Sequence, residues 1–363
     1  MSSICDQSFG GDDRRFWVLL SERIAGQRVP FTGSLALTHR CNLGCVHCYA
    51  REDGERPSAE LPTQRWLEIL ADIQEAGCLF LLLTGGEPLL RGDFAEIYSF
   101  ARKKGFLVTL FTNATLVDDR LLGLFRELPP RLVEVSLYGA DAGMHDRITG
   151  VPGSFAEVLR GIEALRAAGI VVGLKSVLMT ENIDGFPAIE NLARSLGLRF
   201  RFDAAIFPRL AGDRRPLGLR VPAERAVALE MADPHRLEEW RGFYEAFRGS
   251  AGGNGLYDCG SGVNTFHVDS QGVLYPCLMV KSVAHPLAHG GFREGWAAAF
   301  NDFRKGQMAP GLPCRGCDKK LLCGYCPGFF EMENGADDRP SEYLCAIGRS
   351  RMEKLATLHL EDQ

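Results

Sequence analysis

From residue 34 onward one unit recurs along the chain: a short apolar run of strand character, a stretch with apolar residues at helical spacing, a glycine, and another apolar run. The junction glycines Gly77, Gly105, Gly169 and Gly197 sit just past each helical stretch, where the backbone commonly turns left-handed. Arg102, Lys103 and Lys104 put positive charge at a helix C-terminus, where the helix dipole favours it. A chain that alternates strand and helix in this way builds a parallel sheet with crossover helices. The expected strands are 34–38, 79–84, 107–111, 132–137, 171–179 and 198–204. Trp66, Leu70 and Ile73 mark the core face of the first helix, and Phe155, Val158, Leu159, Ile162 and Leu165 that of the fourth.

Six such units fit the α/β class as a partial, open (β/α)6 barrel. An open doubly wound sheet is the alternative, since periodicity alone does not separate the two. In the last strand Arg199, Arg201 and Asp203 alternate with Phe200 and Phe202, so one face is polar, as the wall of a wet lumen would be.

With 363 residues the chain can bury one large core with a smaller unit attached. Residues 1–33 are expected to form a leader segment with one amphipathic helix near 15–24, and 34–206 the barrel. Residues 207–258 read as bridging helices and a glycine-rich linker, and 259–363 as a small cysteine-rich unit. Within that unit a hairpin is expected at 263–276 and a helix at 292–303. A net charge of −5 with interspersed charges offers no surface for nucleic acid. The longest apolar run, 78–83, is too short to span a bilayer, and residues 1–15 lack the apolar core of a signal peptide. No membrane partner and a cytoplasmic location are therefore expected. Twelve cysteines in a reducing compartment read as metal ligands or reactive thiols.

Three of them, Cys41, Cys45 and Cys48, lie in one loop after the first strand, separated by three and then two residues. Thiolates so close do not pair off as disulfides. A closed structural zinc or iron–sulfur site takes four protein ligands, so three leave one coordination position for something else. A zinc knuckle with His47 as the fourth ligand is the alternative, although ligating through the adjacent His47 and Cys48 strains the geometry. The loop leaves the C-terminal end of its strand, where barrels of this kind place their active sites. At the same end of the second strand stand Gly85, Gly86, Glu87 and Pro88. Two glycines let the backbone approach a ligand, the proline fixes the exit, and the carboxylate aims at the same mouth.

Together, Cys41, Cys45 and Cys48 with the following aromatic Tyr49, and the turn Gly85 to Pro88, resemble the radical S-adenosylmethionine (radical SAM) superfamily over residues 34–204. The resemblance implies a TIM-like partial barrel and a [4Fe–4S] cluster whose three irons are held by the loop cysteines, with S-adenosylmethionine chelating the fourth. Gly85, Gly86 and Glu87 would then hold the methionyl amino group, with Pro88 and Tyr49 beside the cofactor. Thr112, Asn113 and Ser136, at the ends of strands three and four, would lie along it; for Ser and Thr at strand ends a local cap is the alternative. Reduction of the sulfonium would release methionine and a 5′-deoxyadenosyl radical that takes a hydrogen atom from the substrate. An external electron donor such as flavodoxin or ferredoxin is implied.

The C-terminal cysteines follow their own pattern: Cys259, Gly272 and Cys277, then Cys314-x2-Cys317-x5-Cys323-x2-Cys326, and Cys345. The gap between the two close pairs is well short of the roughly 15–20 residues of a zinc ribbon. The pattern resembles the SPASM extension of radical SAM enzymes, which implies two auxiliary [4Fe–4S] clusters. Cys314, Cys317, Cys323 and Cys345 would bind one, and Cys259, Cys277 and Cys326 the other. The last close spacing is two residues where that family usually has three, and the second cluster lacks a fourth cysteine. It is expected to keep an open iron for a substrate thiolate or a non-cysteine ligand, the alternative being completion by Cys5 or Cys78.

Enzymes with this extension commonly act on peptides or proteins, so the resemblance points to a maturase that forms a thioether, carbon–carbon or related link in a ribosomally made peptide. Sulfatase maturases share the layout, but their aspartate after the cysteine matched by Cys277 is Leu278 here, which counts against formylglycine formation. Lys175, Arg201 and Asp203 are candidate substrate contacts in the lumen, with solvated or internally paired charges as the alternative. Residues 1–33 cannot hold the leader-binding domain of about 80 residues that many peptide-modifying relatives carry. A separate leader-peptide-binding protein, or the 207–255 segment, would take its place. Radical dehydrogenation of a small molecule and a non-catalytic iron–sulfur electron carrier are the other classes considered; the carrier would have no use for Gly85 to Pro88.

Overall fold

A computed structural model describes residues 27–51, 60–247, 254–287 and 291–361. The expected leader helix, Cys5 and most of the glycine-rich linker lie outside the described residues.

The repeating unit folds as its pattern requires. The strands are β1 (Thr32–Ala36), β2 (Phe80–Thr84), β3 (Leu107–Thr112), β4 (Leu132–Ser136), β5 (Val172–Val177) and β6 (Arg199–Asp203). Between them run α1 (Thr63–Glu75), α2 (Phe94–Lys103), α3 (Asp119–Glu127), α4 (Ala142–Thr149), α5 (Ser154–Ala167) and α6 (Phe186–Ser195). Each neighbouring pair from β1 to β6 is parallel, and the six strands stand in chain order. A doubly wound sheet reverses its order at a switch point. This sheet does not, which settles the alternative in favour of an open barrel. Apolar residues on the helix-facing side, among them Leu35, Leu83, Leu110, Val135 and Leu174, are buried under Trp66, Ile73, Tyr98, Phe125 and Ile162. Each such side chain contributes about 1.5–3 kcal/mol when fully buried.

Two features depart from expectation. β1 begins at Thr32, earlier than expected, because Gly33 lies inside the strand instead of ending the leader. A Cβ on Gly33 would sit 2.4 Å from Cζ of Phe266, so only glycine lets the C-terminal region close over the strand. That closure is the second departure. The hairpin of β7 (Thr265–Val268) and β8 (Val273–Tyr275) forms as the alternation predicts, yet β7 also pairs in parallel with β1 on the side away from β2. With β9 (His285–Pro286) the result is one nine-stranded sheet running from β6 through β1 to β9. The helix expected at 292–303 is two, α9 (Phe292–Ala298) and α10 (Asn301–Lys305), broken where the fully buried Phe300 packs edge-on against Trp296.

The bridging segment supplies α7 (Ala223–Glu230) and α8 (Pro234–Phe247), and the chain ends in α11 (Pro327–Asn334) and α12 (Glu342–Glu361). Polar pairs tie these together. Arg351 grips Glu230 at 2.9 Å through two nitrogens, and Tyr343 donates its hydroxyl hydrogen to the carbonyls of Ala204 and Val221. Arg220 holds both oxygens of Glu333, at 3.0 and 2.9 Å, where Ser341 also donates at 2.7 Å. Burial pushes the Glu333 carboxyl up, but these bonds and the charges of Arg220 and Arg214 outweigh it and hold it below its ordinary value. Arg220→Ala strands that carboxylate, an expected loss of about 3–5 kcal/mol, visible as a lower urea midpoint. Because the folded-state pKa is depressed, the contribution of Glu333 is present above the ordinary carboxylate range and fades as pH falls through it. The deficit of the variant should therefore shrink in acid.

Candidate active site at the mouth of the barrel

The loop after β1 carries Cys41, Cys45 and Cys48 across the C-terminal ends of the strands. It is pinned from several sides: Gly44 N–H donates to Thr149 O at 2.7 Å, Val46 N–H to Ile148 O at 3.0 Å, and Arg51 reaches Gly44 O at 2.8 Å. Asn113 approaches the Cys41 sulfur at 3.9 Å and donates to Asn42, which in turn donates to Thr115. Burial pushes the Cys41 thiol up to about 11, with the Glu87 and Cys48 charges adding to it, and Cys45 is raised by burial, Cys48 and Cys41. The thiols are thus close enough to repel one another as thiolates, which a bound cation would relieve.

His47 is buried and meets the ring of Tyr138 edge-on at 4.5 Å. Among the described residues no three His, Cys, Asp or Glu side chains converge as a single ion requires. A tetrahedral zinc site would draw its sulfurs to about 3.8 Å from one another, given a Zn–S bond of about 2.3 Å.

The turn at 85–88 meets this loop backbone to backbone. Gly86 N–H donates to Thr38 O at 2.7 Å and Glu87 N–H to Arg40 O at 2.8 Å. A Cβ on Gly85, whose φ is +144°, would fall 2.3 Å from Thr38 O, and one on Gly86 2.2 Å from Arg40 O. The glycines are therefore required by the chain's own packing, before any ligand is considered. Glu87 is fully buried and accepts from Thr112 Oγ1 at 2.8 Å, Asn113 N–H at 2.7 Å and Leu89 N–H at 3.1 Å. Burial pushes its carboxyl up to about 7 against these bonds. Pro88 opens a short 3-10 turn directly after it. Thr112 and Asn113 accordingly bind the protein's own groups, the former also accepting from Ala114 N–H at 2.9 Å. Ala114 has φ +58°, a left-handed strain of about 1–2 kcal/mol, with α5 packed against it at Gly161.

By register, Phe111, Glu134, Ser136, Lys175, Arg201 and Asp203 lie on the lumen face. Arg201 binds both oxygens of Glu134, so of the expected substrate contacts it is internally paired. Asp203 accepts from Ala205 N–H at 2.7 Å, and Lys175 lies over the Phe111 ring. Burial pulls the Lys175 ammonium down to about 7; Glu134 and Glu87 raise it and Arg201 lowers it. Tyr49 packs on Phe207 at 5.2 Å, and Ser136 shares a hydrogen bond with the Tyr138 hydroxyl. Tyr138 was missed by sequence reasoning, although an aromatic two residues past a lumen-facing serine was a signal. Glu134 was missed too, although a lone acid inside an apolar strand is unusual.

The other thiols form two groups. Cys314, Cys317, Cys323 and Cys345 come together: burial, Cys345 and Cys317 push Cys314 up to about 11, and burial, Cys345, Cys314 and Cys317 push Cys323 up to about 12. Cys345 is on α12, whose Gly348 permits close approach to Cys323, where a Cβ would stand 2.7 Å from its Cβ. Cys259, Cys277 and Cys326 form the second group, with Cys326 pushed up to about 12 by burial and by Cys277 and Cys259. Cys326 caps α11, accepting from Phe329 N–H at 3.4 Å. Glu331 of that helix holds the Cys277 loop through the N–H groups of Lys281 and Ser282, and Arg304 clamps the carbonyls of Tyr257, Cys259 and Ser261. The Ser261 hydroxyl stands 3.2 Å from the Cys259 sulfur and bonds Cys277 as well. Cys78 lies apart, its thiol toward the carbonyls of Phe31 and Phe80. All described cysteines are free thiols.

A barrel with three thiols at its mouth and further thiol groups beside it matches known proteins. The Radical SAM superfamily model matches residues 35–193. An AdoMet-dependent heme synthase of Nitratidesulfovibrio vulgaris is 31% identical over 339 residues, covering 87% of this chain and 92% of that protein. The mycofactocin maturase MftC of Mycobacterium ulcerans is 30% identical over 325 residues, covering 85% and 84%. Among solved structures, Streptococcus suis SuiB bound to its precursor peptide SuiA superposes with a TM-score of 0.70 at 15% identity, covering 92% of this chain and 80% of that one, a likeness of fold. The chain belongs to the radical SAM superfamily and is related to its SPASM-type members. It is a radical SAM enzyme, and S-adenosylmethionine and a [4Fe–4S] cluster are the cofactors of that class. No described helix is long and apolar enough to cross a membrane.

Proposed function

We propose that this enzyme oxidatively modifies a ribosomally made peptide, forming a thioether, carbon–carbon or related link. The observation that carries the reading is the division of thiols into one lumen-facing loop and two further groups, which suits chemistry that begins with hydrogen removal and then needs an outlet for an electron. Cys41, Cys45 and Cys48 would hold the cluster that binds S-adenosylmethionine, and the backbone at Gly85 and Gly86 with the Glu87 carboxylate would receive the methionyl amino group. When bound, these cofactors supply a 5′-deoxyadenosyl radical that takes a hydrogen atom from the substrate. Cys314, Cys317, Cys323 and Cys345 would hold one auxiliary [4Fe–4S] cluster, and Cys259, Cys277 and Cys326 another with an iron left open. Flavodoxin or ferredoxin would deliver the electron, and a separate leader-binding protein would present the peptide. The relative named a mycofactocin maturase supports the peptide class. A second reading, heme synthesis, is favoured by the long match to an AdoMet-dependent heme synthase.

The test is anaerobic turnover of the reconstituted enzyme with S-adenosylmethionine and dithionite. 5′-Deoxyadenosine is expected, together with a peptide encoded beside the gene that leaves lighter by two hydrogens. Heme formed from a porphyrin precursor instead would select the second reading, and absence of 5′-deoxyadenosine would overturn both.

The Ser261 hydroxyl would donate to the Cys277 thiolate of the three-cysteine cluster and stabilise its reduced form. Ser261→Ala is therefore expected to lower the reduction potential of that cluster alone, read by EPR-monitored titration. An unchanged potential would show that the hydroxyl does not bond the bound thiolates.

A further inference from the structure

The lumen wall contains a lysine that the site described so far does not use. Lys175 lies on β5, and its register neighbours are Ser136 of β4 and Arg201 of β6. Both carboxylates near it are engaged elsewhere. Arg201 takes the two oxygens of Glu134, and Glu87 accepts from Thr112, Asn113 and Leu89. Among the described residues the Lys175 ammonium makes no hydrogen bond or ion pair; its nitrogen stands 3.2 Å from the centroid of the Phe111 ring. An aromatic face steadies a desolvated ammonium but does not neutralise it. The ammonium therefore has no directly bonded counter-charge, inside walls that weaken its hydration.

We propose that Lys175 anchors a carboxylate of the substrate in the lumen. The proposal deepens the reading above and rests on the lumen being the substrate chamber. A single-point ammonium donor suits one carboxylate, whereas a phosphate favours the planar fork of arginine. That fork is occupied here, because Arg201 is committed to Glu134. The position also points to substrate. Lys175 is on β5, beside Ser136 and within reach of the Glu87 charge, so an anion held there would lie next to the turn at 85–88. Burial has already pulled its proton affinity down, so a bound anion would restore it.

The anchor can be tested without knowing the substrate, using propionate as the probe. Reconstituted holoenzyme is pulsed with acetic anhydride at neutral pH, and acetylation of Lys175 is mapped by mass spectrometry, with the exposed Lys103 and Lys104 as internal standards. With S-adenosylmethionine present throughout, propionate at four times its dissociation constant should slow Lys175 acetylation by about fivefold through simple mass action. Propionamide should not. If S-adenosylmethionine alone shields Lys175 and propionate adds nothing, the lysine belongs to the cofactor and the proposal fails. It fails equally if propionate and propionamide act alike. Formation of 5′-deoxyadenosine by the same preparation reports separately on the functional reading, so the two cannot be confused.

Discussion

Cys45→Ala is expected to lower 5′-deoxyadenosine formation by about three orders of magnitude or more, since residues that act as one unit fail together. The thiol is buried beside Cys48 and Cys41, the three proposed to hold one cluster. Iron content should fall by one cluster, while the signals of the two proposed C-terminal clusters persist. Full retention of iron and activity would remove the loop from the chemistry. A matching loss from Cys326→Ala, by contrast, should spare cleavage of S-adenosylmethionine and stop only product formation.

The second large effect involves no reactive group. Gly86→Ala places a Cβ 2.2 Å from Arg40 O, 2.6 Å from Arg40 C and 2.8 Å from His39 O, all backbone atoms that cannot swing away. The turn and the cysteine loop must then separate, at a cost of about 3 kcal/mol, the upper end of ordinary overpacking. Binding of S-adenosylmethionine, measured by calorimetry on the reconstituted protein, should weaken at least about tenfold. Gly92→Ala, with nothing within 4 Å of its added Cβ, is the control and should be silent. Equal binding by both variants would separate the turn from the cofactor site.

Local grammar made much of the barrel legible. The glycine stops after α1, α2, α5 and α6 have positive φ, as a helix end of that type needs, and each was visible in the sequence beside its apolar period. Strand order was not visible, because it is fixed by which edges meet and not by any residue pattern. Gly33 reads locally as a break; only the distant Phe266 ring explains why it lies within a strand. The thiol groups were legible through spacing, but the contact that brings Cys326 to Cys277 runs through Gly328 against Met279, a pair no periodicity links. In the lumen, Lys175 and Arg201 looked alike as alternating cations. Their different states depend on Glu134, which reaches one and not the other.

The pairing of β7 with β1 sets a condition on how this molecule can be taken apart. With β7 in place, β1 is an interior strand, hydrogen-bonded on both sides. Without the C-terminal region it would become the rim of the sheet, with a row of unsatisfied backbone groups and a tendency to pair with another chain. The cysteine loop would then hang from that rim. Cutting the chain before β7 is therefore expected to unseat the strand that leads into the cysteine loop.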